Sequence, residues 1–138
     1  MGKDSVTSTK VKANADKVRE VLTRYALQDV QFLIDEAGYL QAVGEEGSRE
    51  SWPRAVPVTE LPKEEDYDDK DQYWDDMHWV YFEGGNEGFT ALLQELASCI
   101  ETPMMILASW KEGWFSNARV WRIEPGSVQV EKLGALDR

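Results

Sequence analysis

The chain has 138 residues, 42% of them hydrophobic and 30% charged, and a formal net charge of -11. That length and apolar content suit one compact domain with a true core and exclude disorder of the whole chain. With a pI of about 4.5, the protein is repelled at long range by nucleic acid phosphates and anionic lipid; the expected partners are a basic or neutral protein surface or a small molecule, with no nucleic acid and no membrane.

Cys99 is the single cysteine, which excludes an intramolecular disulfide or a multi-cysteine metal site and fits a reducing compartment. The opening MGKDSVTSTK lacks the apolar run of a secretory signal, and Val6 occupies the position where a myristoylation signal requires Ser or Thr. No stretch reaches the roughly 20 apolar residues that span a bilayer. A cytoplasmic protein is the expectation.

In chain order, residues 5–13 alternate, with Thr7, Thr9, Val11 and Ala13 on one side and Ser8, Lys10 and Lys12 on the other, which predicts a half-buried strand. Asn14 is placed to cap a helix over 15–27, where Ala15, Val18, Val21, Leu22, Tyr25 and Ala26 share a face. Two apolar runs, VQFLI and YLQAV, flank DEAG within 30–43, and this predicts a hairpin with Gly38 at positive φ. Residues 44–77 hold three prolines and no sustained period, so they are expected as an irregular acidic insertion, with Val56 and Val58 anchoring a short edge strand. Its densest part, 63–77, carries eight carboxylates and two lysines for a local charge of -6.

HWVYFE at 78–83 reads as a buried strand ending at Gly84-Gly85, with Asn86 capping the helix that follows. In that helix Phe89, Leu92, Leu93, Leu96, Ala97 and Ile100 give the strongest helical period in the chain. Pro103 stops it. Strands are expected at 104–110, 114–123 and 128–133, with turns at Lys111-Glu112-Gly113 and at EPGS. Together these elements predict an α+β protein: a two-layer ferredoxin-like sandwich, with two helices on one face of an antiparallel sheet and a long acidic insertion.

From about Tyr73 to Val128 the chain resembles the YubB ferredoxin-like family, small bacterial domains often carried on plasmids or mobile elements. The likeness rests on Tyr73-Trp74-Asp75-Asp76, on Phe82-Glu83, on the helix, and on the run from Ser109 through Trp114 to Ala118 closing with Pro125-Gly126-Ser127-Val128. Tyr73 to Asp76 lack the Gly and Lys of the family's corresponding run. The resemblance implies a ferredoxin-like fold and no particular chemistry.

Three motifs that suggest chemistry fail on spacing. From Asp66, the sixth and twelfth positions of a calcium loop fall on Asp71 and Met77, where the pattern needs Gly and Glu. Gly84-Gly85-Asn86-Glu87-Gly88 is no phosphate loop, because no basic residue follows and Glu87 puts a carboxylate there. Nothing in the spacing brings His78 to Cys99 as a nucleophilic pair. Catalytic residues, metal and cofactors are therefore assigned to none.

The six tryptophans are the better lead. Tyr73, Trp74, Trp114 and Trp121 are the expected anchors of an aromatic surface, with Asp68, Asp69, Asp71, Asp75 and Asp76 steering a basic partner. This reading makes the protein a non-enzymatic, inhibitor-like or immunity-like binding module. The alternatives are a small-molecule or sensor domain with an aromatic cleft, and an acidic loop that serves solubility alone; an open sheet face also allows homodimerisation.

Overall fold

The computed structural model describes residues 3–44, 53–112 and 115–133. It is an α+β structure with three antiparallel sheets. Lys3–Ser8 (β1) pairs with Met104–Glu112 (β7), which continues through Phe115–Glu124 (β8) to Ser127–Leu133 (β9) in the order β1-β7-β8-β9. Val11–Lys12 (β2), Tyr39–Gly44 (β5) and Val30–Ile34 (β4) make a second sheet, and Tyr25–Gln28 (β3) pairs with Arg54–Pro57 (β6). The helices are Ala15–Leu22 (α1) and Lys70–Ala97 (α2). Among the described residues, no helix is long and apolar enough to cross a membrane.

The first half of the chain follows its pattern closely. The expected strand over 5–13 forms in two pieces, because the chain bends at Thr9-Lys10 and passes from the first sheet to the second. Asn14 caps α1, its side-chain oxygen accepting from the Lys17 amide at 3.1 Å. The helix ends at Leu22, earlier than the apolar period suggests, since Tyr25–Gln28 exchange helical bonds for a ladder with β6. Arg24 and Tyr25 are held there by Glu95, which accepts from the Arg24 guanidinium at 2.6 Å and from the Tyr25 hydroxyl. The β4–β5 hairpin forms as expected, with Gly38 at φ 87°. Val56 is buried in β6, whereas Val58 lies in a 3₁₀ turn, Val58–Glu60, and is exposed.

The second half departs from the prediction most at the start of α2; in addition α2 ends at Ala97, with Ile100 bridged to Ala13, and Lys111 and Glu112, expected in a turn, belong to β7. Residues 78–83 are helical, as are Gly84, Gly85 and Asn86, and the whole of 70–97 is a single helix capped by Asp69. The strand, the glycine turn and the Asn86 cap are therefore corrected, and with them the second strand-helix-strand unit on which the ferredoxin-like expectation rested. Close packing explains the glycines. A Cβ on Gly88 would meet the Ala55 carbonyl oxygen at 1.8 Å, and one on Gly85 would meet the Arg54 side chain at 2.6 Å. Each glycine costs a helix about 1 kcal/mol, but at these two positions the missing side chain lets α2 lie directly on β6. Gly84 points to open space and makes no such contact.

The core joins all these elements. Phe89 is fully buried; its ring meets Trp121 of β8 edge-on at 5.1 Å and Phe32 of β4 at 6.2 Å. One α2 side chain thus ties the first sheet to the second. Leu92, Leu93, Leu96 and Ala97 pack beside it with Val18, Leu40, Ile106 and Ile123. Burial stabilises side chains of this kind by about 1.5–3 kcal/mol each, so the second half of α2 is the main anchor of the fold.

Candidate functional site

The periodicity that buries Phe89, Leu93 and Leu96 runs on toward the helix N-terminus through Trp74, His78 and Phe82, each four residues from the next. At 3.6 residues per turn this is one continuous stripe. Its second half lies in the core. Its first half overhangs it: no residue of 70–84 is buried, and Trp74, Trp79 and Phe82 are 59%, 50% and 53% exposed. The His78, Trp79 and Phe82 rings form a connected cluster, with His78 stacked on Phe82 at 6.2 Å and Trp79 edge-on to Phe82 at 5.4 Å, while the Trp74 ring meets Tyr73 at 5.0 Å. The Arg54 guanidinium sits 5.5 Å from the Phe82 ring centre, where the overhang meets the body of the protein.

The opposite flank of this half-helix is braced by residues 58–67. Tyr67 packs edge-on to Tyr73 at 5.5 Å and donates its hydroxyl to Asp76 at 2.6 Å, while Gln72 donates to the other Asp76 oxygen at 2.8 Å. The Tyr67 pKa is raised, first by that hydrogen bond and then by burial. Between bracing segment and helix lies an open groove of about 410 Å³ bordered by Glu60, Leu61, Tyr67, Asp76, Trp79 and Glu83.

The expected site residues fall into separate roles. Asp69 is the N-cap, accepting from the Asp71 amide at 2.9 Å, and Asp71 lies in the first turn; both suit the positive end of the helix dipole. Asp76 serves the brace. Asp68, just before the cap, and Asp75, on the helix, are both exposed. Tyr73 is half-buried against Tyr67 and Trp74, leaving Trp74 as the exposed member of the pair. Trp121 is corrected: it is 3% exposed, locked against Phe89, and is a core residue rather than a surface anchor. Trp114 lies outside the described residues.

Trp79, His78 and Phe82 were missed by the sequence pattern because a run of aromatic and β-branched residues imitates a buried strand. The four-residue spacing of 74, 78 and 82 was the signal that would have found His78 and Phe82. His78 stands near the start of α2 and Cys99 just past its end; at 1.5 Å rise per residue that separation is roughly 30 Å, so the two do not meet. Among the described residues no group of three or more His, Cys, Asp or Glu side chains is arranged to hold a metal ion.

The class these features define is an α+β protein with a projecting, aromatic and acidic half-helix. No family model, curated protein or solved structure matches the chain.

Proposed function

We propose that the protein is a non-enzymatic binding module, inhibitor-like or immunity-like, which docks a basic protein through the first half of α2. The observation that carries this reading is the continuation of the core stripe, uncovered, through Trp74, His78 and Phe82 with Trp79 beside it. Three large exposed aromatics within nine residues form a patch of the kind that marks interaction surfaces. Trp and Tyr make strong anchors when a partner desolvates them. The flanking carboxylates Asp68, Asp71 and Asp75 set the sign of the partner: in a chain of charge -11, a basic surface is drawn in and an acidic one is repelled.

The test is capture of a basic protein from host lysate by the parent, by Trp74→Ala/Phe82→Ala, and by Asp68→Asn/Asp71→Asn/Asp75→Asn. The reading expects retention by the parent at low salt, weakening as salt shortens the Debye length, and loss in both variants. A partner held equally by all three proteins, or insensitive to salt, would refute it.

A further inference from the structure

A second surface, one face of α2 away from the aromatic stripe, includes two cationic side chains. Between α2 and the β8–β9 pair lies a groove of about 410 Å³, within the size range of small-molecule sites. Its sheet wall carries Arg119 and Lys132, which stand directly opposite each other in register, and next to them the Trp121–Val130 pair. Its helix wall includes Glu87, Thr90 and Gln94.

Like charges directly across an antiparallel ladder cost stability, and here they line a concave surface. Two cations and one carboxylate line this groove within a chain of charge -11. Burial first, and then the charge of Arg54, hold Arg119 below the usual guanidinium pKa. The apolar component is separate: Val130 is 44% exposed at the groove mouth, and Trp121 forms part of the floor.

We infer that this groove binds a small organic anion, its carboxylate or phosphate held between Arg119 and Lys132 and its flat apolar body resting on Val130 and the edge of Trp121. The site is independent of the docking surface on the first half of α2. An anionic metabolite or effector carried here would be recognised by charge-assisted hydrogen bonds at one end and by apolar contact at the other.

The experiment is a titration of the ¹⁵N-labelled full chain with 2-naphthoate, and with 2-naphthamide as the uncharged control, followed by amide shift changes. Saturable shifts at Thr90, Ala91, Gln94, Trp121 and Val130 are expected, with the amide binding at least about tenfold more weakly. Lys132→Gln is expected to weaken naphthoate by about tenfold and Lys132→Glu to abolish it; Lys132 is exposed, so both variants keep the fold. Equal affinity for the two probes, shifts centred on 74–82, absence of saturation, or indifference to the Lys132 substitutions would each overturn the inference.

Discussion

The two halves of α2 share one helix and one apolar stripe, yet they do different things. Residues 85–97 bury Gly85, Phe89, Leu92, Leu93, Leu96 and Ala97, whereas residues 70–84 bury nothing. Apolar periodicity alone therefore does not say which part of a helix is core. What separates the halves is whether something lies opposite: β6, β8 and α1 face the second half, and among the described residues the first half projects past them with the 58–67 brace on its flank and Arg54 at the Phe82 ring.

This contrast breaks most visibly in the core half. Leu96→Asp should abolish the cooperative melt, since it leaves an unpaired charge in a site that is 2% exposed. Phe89→Ala should cost about 3–5 kcal/mol in denaturant unfolding, because it removes the ring that joins the first sheet to the second. A loss near zero at either position would mean that the core lies elsewhere.

The glycines sharpen the same comparison with opposite signs. Gly88→Ala drives a methyl into the Ala55 carbonyl and should destabilise by about 1–3 kcal/mol or more. Gly84→Ala meets nothing and should stabilise by about 0.5–1 kcal/mol through helix propensity and reduced freedom of the unfolded chain. Thermal melts of the two variants should shift in opposite directions. If both destabilise, the continuous helix is wrong.

A smaller effect tests the anchoring of the core half through Glu95. Burial, then the hydrogen bond to Glu95, push the Tyr25 pKa up to about 12 from 10.0. A group whose folded pKa lies above its unfolded value favours the folded state while protonated. Its contribution is complete below pH 10 and is lost as pH rises toward 12. Tyr25→Phe should remove that part of the alkaline decline and cost about 1 kcal/mol at neutral pH. An unchanged alkaline profile would show that the Tyr25–Glu95 contact is not made in solution.

Much of this architecture was legible in the residues. The Asn14 cap, the Gly38 hairpin, the apolar period of Phe89 to Ala97 and the last three strands all follow from local chemistry that agrees with tertiary packing. The start of α2 did not. Aromatic and β-branched residues at 78–83 favour a strand, and two adjacent glycines look like a turn. The decisive term is the approach of β6 to Gly85 and Gly88, a contact with a segment 30 or more residues earlier that no local window contains. For the same reason Trp74 could be placed near a surface from its acidic neighbours, while Trp121, in an alternating strand, gave no sign of which face would be covered.

The central claim is that Trp74, Trp79 and Phe82 lie outside the core and are free to meet a partner. The most direct measurement is the unfolding free energy of the Trp74→Ala/Trp79→Ala/Phe82→Ala triple variant. The account predicts a total loss below about 2 kcal/mol, made up of modest ring-ring and Arg54 contacts. A loss approaching the ~3–5 kcal/mol expected for each buried aromatic would contradict it and return this half of the helix to the core.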